Sequence, residues 1–315
     1  MAPINSLEKD HPLLDSSFEY FCASHSIFTV EDFLLQDLTV LAQLAEQGPN
    51  SDRLKQGINQ VLCIIDKNHH QPWSNGMQFL QDALLNKHVL STGFQGVDAL
   101  IGGGLREGQL TELVGLSSSG KTQVCLRVAA SIAEQHMGRV IFMDTCNSFS
   151  PQRIQHFVDQ ISGSALTEKI MSNILCCPVF DIFSMFDVLH QIEISLKSQG
   201  HNGDLKVRSL IVDSISSLIT PILGGGGPQG HALMTSAGIL LKKLAHEHNI
   251  AVLVTNHMVA GDGGNLKPAL GESWKSIPHV RLQISRDCEN NIHHIIILKH
   301  PSQASGKATR FNVDD

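Results

Sequence analysis

Three things are scarce in this sequence, and each shortage removes a class of protein. No Cys-x-x-Cys pair occurs; the cysteines are Cys22, Cys63, Cys125, Cys146, Cys176, Cys177 and Cys288, and the adjacent pair falls in an apolar run. An odd set with this spacing fits neither a disulfide framework nor a zinc site, and predicts buried, reduced thiols in a reducing compartment. No apolar run reaches membrane-spanning length, and the start Met1-Ala2-Pro3-Ile4-Asn5 has neither a basic nor an apolar leader segment. An intracellular soluble protein with no membrane partner is the expectation. Basic charge is short as well, with 23 Lys and Arg against 30 Asp and Glu for a formal net charge of −7. Free-standing duplex binders draw their non-specific affinity from Lys and Arg against phosphate. Any nucleic-acid contact should therefore be local, or shared with a partner.

What is present points to a folded enzyme-like chain. At 315 residues, 42% hydrophobic and 17% charged, it has material for one large domain and a small one. One stretch dominates: Gly115-Leu116-Ser117-Ser118-Ser119-Gly120-Lys121-Thr122, which fits G-x-x-x-x-G-K-[ST]. The apolar run Leu110–Val114 precedes it, and residues 123–133 continue with apolar side chains at helical spacing. A strand that feeds a glycine-bounded loop into a helix aims backbone N–H groups and the helix dipole at one point. Polyphosphate suits such a point: Lys121 would reach the β- and γ-phosphates, and the Thr122 hydroxyl would ligate Mg²⁺.

Taken in order, residues 1–70 read as a bundle of four short helices, resembling a helix-hairpin-helix unit and poor in basic residues. Phe18, Phe21 and Cys22 share one face; Thr29 with Asp32 makes a capped start, Asp37 another, and Ser51 opens an amphipathic helix carrying Leu54, Ile58, Val61, Leu62 and Ile65. Protein contact is expected of this bundle rather than DNA contact. Residues 71–88 read as a linker marked by Pro72, Asn75 and Gly76, with His69 and His70 as solvated residues beside it. Its apolar segment Phe79–Leu84 would either dock on a neighbour's sheet edge or pack on its own domain. From 89 to 315 strand and helix signals alternate, so an α/β fold is expected: a mostly parallel sheet flanked by helices, extended by antiparallel strands at 280–284, 292–298 and 309–313. Ligands of such sheets sit at the carboxyl ends of the strands, where Gly115, Asp144, Asp213 and His257 would converge. Asp213 ends an apolar strand and is placed to hold Mg²⁺. Asp144 has two readings, a functional carboxylate or a structural one at a sheet end.

Leu90-Ser91-Thr92-Gly93, the glycines 102–104, the P-loop with Gln123-Val124-Cys125, Leu210–Ser214 and Thr255-Asn256-His257 occur here in one order. Together they resemble the RecA-like strand-exchange recombinases of eukaryotes. Phe180–Leu189, Pro221–Gly225 and Leu266–Gly271 look like the family's D-type paralogue, a DNA-repair factor. The resemblance spans residues 89–315, and the helical bundle and linker also match the family's plan. It implies a RecA-like core that binds ATP and Mg²⁺, with Arg153 stacking on adenine and His257 sensing the γ-phosphate. It implies a nuclear protein, with some in the cytoplasm, working in a complex of paralogues. The C-type paralogue is implied on the N-terminal region and the smallest paralogue on the core.

Two departures modify that picture. The family's water-orienting glutamate falls at Cys146, so the implied DNA-dependent ATPase should be weak. The two DNA loops fall at 221–231 and 258–272; the first has no basic residue, and the second offers Lys267, with Lys275 just beyond. Single-stranded or branched DNA would be held weakly and within the complex. A recombinase forming its own filament, or a P-loop small-molecule kinase, are the competing expectations; no arginine cluster for a kinase lid is found in the glycine-rich loops.

Overall fold

The computed structural model describes residues 13–47, 50–69, 75–86, 89–135, 138–162, 166–198, 206–224, 228–261, 266–287 and 290–313. Gly48, Pro49, His70, Pro72, Gly225–Gly227 and Cys288 lie outside them. The chain forms two compact units, Met1–Asn86 and Lys87–Asp315.

The first unit contains α1 (Ser16–Ser24), α2 (Val30–Leu34), α3 (Leu38–Gln47), α4 (Ser51–His69) and α5 (Gly76–Asn86). Short polar side chains start these helices. Asp15 accepts from Ser17 and Phe18 N–H, Thr29 and Asp32 cap α2 reciprocally, and Asp37 accepts from Thr39 N–H. Phe18, Phe21, Phe33, Leu41, Leu54, Ile58 and Val61 fill the small core. Helix α5 corrects the reading of 75–86 as loose linker. Asn75 and Gln78 cap each other (Gln78 N to Asn75 Oδ1 2.9 Å, Asn75 N to Gln78 Oε1 2.8 Å), which starts a helix where composition suggests none. Met77, Phe79, Leu80 and Leu84 are exposed along it. The apolar segment Phe79–Leu84 is therefore helical and exposed in the described structure.

The second unit is built on one large sheet. In chain order it runs β1 (Val89–Leu90), α6 (Gln95–Ile101), β2 (Leu105–Arg106), β3 (Leu110–Gly115), α7 (Lys121–Gln135), β4 (Arg139–Asp144), α8 (Pro151–Ser162), α9 (Thr167–Met171), β5 (Ile174–Pro178) and α10 (Ile182–Ser198). The chain continues through β6 (Val207–Asp213), α11 (Ile215–Leu223), α12 (Pro228–His248), β7 (Ala251–Ala260), β8 (Leu266–Pro268), α13 (Gly271–Lys275), β9 (Val280–Arg286), β10 (His293–Lys299) and β11 (Ala308–Phe311). Among the described residues the sheet order is β11-β10-β9-β3-β7-β6-β4-β5, with β8 attached to β7, and β1 pairs β2 separately. Strands β9, β3, β7, β6, β4 and β5 are parallel, and β10, β11 and β8 pair antiparallel. The expected α/β architecture is what forms, except that β9 joins the parallel set and the antiparallel extension starts at β10.

Every residue of β3 is buried, as a central strand covered on both faces requires. One apolar core lies between the sheet and α6–α9, and a second between the sheet and α10–α13. The thiols only partly match expectation: Cys22 and Cys125 are buried, but Cys63, Cys146 and Cys176 are exposed. Cys176 lies on β5, at the edge of the sheet. Burial pushes the Cys22 thiol up to about 12, and partial burial of the sulfur, with the Asp144 charge adding to it, pushes Cys176 up to about 11.

Candidate functional site

The P-loop occupies the turn from β3 into α7, at the carboxyl edge of the sheet. Ser118 (φ 61°) and Gly120 (φ 97°) adopt the left-handed conformation that curls the loop. Gly120 has no space for a side chain, because a Cβ there would stand 2.6 Å from His293 Nε2. Lys121 is buried, and its Nζ donates to the carbonyls of Gly115 (2.9 Å) and Leu116 (2.7 Å). Burial lowers its pKa, and the Asp213 charge works in the opposite direction. Ser119 Oγ is buried without a hydrogen-bond partner. A buried ammonium held only by carbonyls and an orphaned hydroxyl form a cradle whose unmet need is an anion.

Thr122 Oγ1 donates to Asp213 Oδ2 at 2.6 Å, and Thr255 Oγ1 donates to Asp213 Oδ1. Among the described residues no group of three or more His, Cys, Asp or Glu is placed to hold a metal alone. One hydroxyl and one carboxylate fit Mg²⁺, which takes one or two protein ligands and completes its shell with phosphate and water. His257, at the end of the described pairing between β7 and β3, stands level with Gly115. Its Nε2 lies 3.2 Å from Ser214 Oγ, and its backbone N–H donates to Ser216 Oγ. Burial first, then the Lys121 charge, lowers its pKa.

Cys146 stands among hydroxyls. Its Sγ is 3.4 Å from Ser217 Oγ and 3.5 Å from Thr145 Oγ1, and Ser217 in turn bonds Thr145 (2.6 Å) and Ser214 (2.9 Å). The nearby Asp144 is engaged elsewhere: Oδ1 accepts from Cys146 N (3.1 Å), Ser148 N (3.0 Å) and Ser148 Oγ (3.3 Å), and Oδ2 from Phe149 N (2.9 Å). Of the two readings of Asp144, the structural one fits these bonds. Arg153 Nε donates to Gln123 Oε1 at 2.8 Å, and its guanidinium lies over Phe157, 4.4 Å from the ring centre.

Ser117–Gln123 form the floor of one cavity of about 420 Å³, with Cys146, Ser148, Arg153, Asp213, Ser214 and His257 on its walls. A further wall is one that the sequence motifs do not reveal: Arg286, Asn291, His293 and Val313 line the same cavity from β9, β10 and the C-terminal stretch. The parallel pairing of β9 with β3 puts Ile284 level with Gly115 and so carries the C-terminal strands to the P-loop.

Beneath the site a buried network ties β3 to its neighbours. Glu112 accepts from Asn256 (2.7 Å), Trp274 Nε1 (2.9 Å) and Arg281 Nε. It anchors both stems of the segment that links β7 to α13. There a second cavity, of about 750 Å³, is lined by His231, Lys267, Lys275, Arg281 and Lys299 among others. Two basic side chains from strands outside 258–272 thus join this cavity, although the Arg281 charge is matched by Glu112. Arg281 and Lys299 come from β9 and β10, beyond the loop.

The sequence profile described as Rad51 matches residues 86–285. "DNA repair protein RAD51 homolog 4" of Bos taurus is 38% identical over 275 residues, covering 86% of this chain and 82% of the relative. The protein of that name from Mus musculus is 35% identical over 74% of this chain and 73% of its own length. "DNA repair and recombination protein RadB" of Archaeoglobus fulgidus is 27% identical over 73% of this chain and 98% of its own. On the profile match and the identity to these relatives, this chain belongs to the Rad51 family.

Proposed function

We propose that this protein is an ATP- and Mg²⁺-binding recombinase paralogue that works in nuclear homologous recombination, in repair of double-strand breaks and crosslinks, as a subunit of a complex of related chains. The observation that carries this reading is the contrast inside the cavity. Lys121, Thr122 and Asp213 supply groups for phosphate and metal, while a thiol stands at Cys146. Bound Mg²⁺ would neutralise phosphate charge; the backbone of Ser117–Gly120 and Lys121 would hold the triphosphate. Water activation needs a positioned base, worth about 10²–10⁴-fold. The hydrogen bonds of Cys146 Sγ go to the hydroxyls of Thr145 and Ser217, and both Asp144 oxygens are committed to the loop. Binding without appreciable turnover suits nucleotide acting as an assembly signal.

Support for partners comes from apolar surface. Tyr20, Phe28 and Leu35 are exposed on the helical unit, and Phe180, Phe183 and Ile194 on the core. Solvent-facing aromatic and aliphatic groups in such number favour protein contact. We assign related chains to both units. Single-stranded or branched DNA would be held weakly, through Lys267, Lys275 and Lys299 around the second cavity. The test is isolation of the tagged chain from cells, with and without Lys121→Ala. Wild type should bring down other Rad51-family chains, and the variant fewer. Recovery of no family member, or of a self-filament on DNA, would refute the reading.

A further inference from the structure

The C-terminal wall of the nucleotide cavity holds a cation that neither the P-loop motif nor the family resemblance assigns. Strand β9 runs beside the P-loop strand, with Ile284 level with Gly115. Its Ile284 side chain faces the loop: were Gly115 to carry a Cβ, Ile284 Cγ2 would lie 2.8 Å from it, and Ile284 Cδ1 would lie 3.7 Å from a Cβ on Gly120. Side chains two apart on a strand share a face, so Arg286 projects on the side that Ile284 turns to the P-loop. His293 is paired directly with Arg286 across β9 and β10, and its ring is the group that excludes a side chain from Gly120. Cross-strand partners also share a face. Register, alternation and the cavity lining agree in putting Arg286 over the loop.

The guanidinium is held for use. Arg286 Nε donates to Asn291 Oδ1 at 2.9 Å, Asn291 has φ 54°, and beside it Asp287 N–H donates to Ile292 O. His293 is buried and stacks on Phe311, which fixes the strand opposite. Among the described residues three long cationic side chains line the cavity: Lys121, Arg153 and Arg286. Lys121 belongs to the cradle, and Arg153 is tied to Gln123 and stacked on Phe157. A magnesium-bound triphosphate keeps negative charge that one lysine does not match. A planar guanidinium fixed through Nε keeps its two terminal nitrogens for paired hydrogen bonds to phosphate oxygens.

We propose that Arg286, braced by Asn291 and set beside His293, is a second phosphate-binding cation that contacts the phosphate chain of the nucleotide in the same subunit. This rests on the P-loop being the nucleotide site. Equilibrium binding of ATP with Mg²⁺ to the full chain tests it, with Lys121→Ala as a separate check on the site. Arg286→Ala is expected to weaken ATP at least tenfold, and Arg286→Glu further. Arg286→Gln, which keeps a hydrogen-bonding side chain beside Asn291, is expected to lose nearly as much as alanine, because charge is what is removed. Asn291→Ala should cost about threefold, and the nucleotide-free melting temperature of Arg286→Gln should match wild type. ATP affinity within twofold of wild type in both Arg286→Gln and Arg286→Glu, with Lys121→Ala unable to bind, would overturn the proposal and leave the P-loop site standing. ATP bound equally well by Lys121→Ala would instead overturn the site itself, and the proposal with it.

Discussion

Strands β4 and β6 lie side by side, run parallel and end level with each other on Asp144 and Asp213. Two carboxylates of one type, at one height in one sheet, do opposite things. Asp213 turns its oxygens to Thr122 and Thr255, which leaves it facing the nucleotide cavity. Asp144 spends both oxygens on the N–H groups of Cys146, Ser148 and Phe149 and so folds the segment that carries Cys146. The segment beyond each strand decides the outcome. After β6 a helix begins almost at once, with Ser214 as its cap; after β4 a loop of several residues precedes α8, and its backbone donors need an acceptor. Of these two carboxylates, the one that no loop claims is the one left on the cavity wall.

The contrast can be broken from either side. The largest effect on stability should come from Asp144→Ala, which strands several loop donors at once. These donors are only part-buried, so water makes good some of the loss, and about 1–3 kcal/mol, the cost of roughly one buried unsatisfied group, is expected. Thermal unfolding measures it, and the fraction that folds should bind ATP within about threefold of wild type. Asp213→Asn should do the reverse. Asparagine can still accept from Thr255, so the melting temperature should hardly move. ATP affinity in Mg²⁺ should fall about tenfold, near 1.4 kcal/mol, and titration with and without Mg²⁺ should show smaller loss without metal.

A third acid sharpens the point that partners set the role of a carboxylate. Glu193 on α10 accepts from Lys197 (2.9 Å) and from Lys243 on α12 (3.1 Å). The Lys197 hydrogen bond first, with Lys243 adding to it against the cost of burial, brings its pKa down to about 2. A folded-state value below the usual 4.5 means that the stabilisation is present above that pH and disappears as pH falls from about 4.5 towards 2. Glu193→Gln should therefore lower the melting temperature modestly at pH 7 and make little difference near pH 2. Melting curves across that range would check the sign.

How far each of these features is visible in the sequence depends on how local its code is. Gly115–Thr122 is legible because loop, lysine and threonine are contiguous and the flanking strand and helix have plain patterns. Asp213 is legible as the polar end of an apolar strand. Asp144 is not separable from it by that rule, since only the path of residues 145–149 shows which donors its oxygens meet. Arg286, Asn291 and His293 are out of reach for another reason. Their strands come late in the chain, and nothing local says that β9 enters the sheet next to β3 rather than continuing an antiparallel edge. Helix α5 has a local signal in Asn75 and Gln78, but the surrounding Pro72 and Gly76 mask it. The exposure of Cys146 and Cys176 is hidden because composition reports that a thiol tends to be buried, not which strand edge or loop it lands on.

The proposed contrast between the groups for phosphate and Mg²⁺ and the thiol at Cys146 is tested most directly by measuring ATP binding and single-turnover hydrolysis on the same preparation of the isolated chain. Lys121→Ala and Cys146→Ala are to be run beside wild type. Wild type should bind ATP with Mg²⁺ and hydrolyse it slowly, Lys121→Ala should lose at least a hundredfold in affinity, and Cys146→Ala should keep both affinity and the slow rate within twofold. Rapid hydrolysis by wild type that collapses in Cys146→Ala would contradict the account, because it would make the thiol a catalytic group.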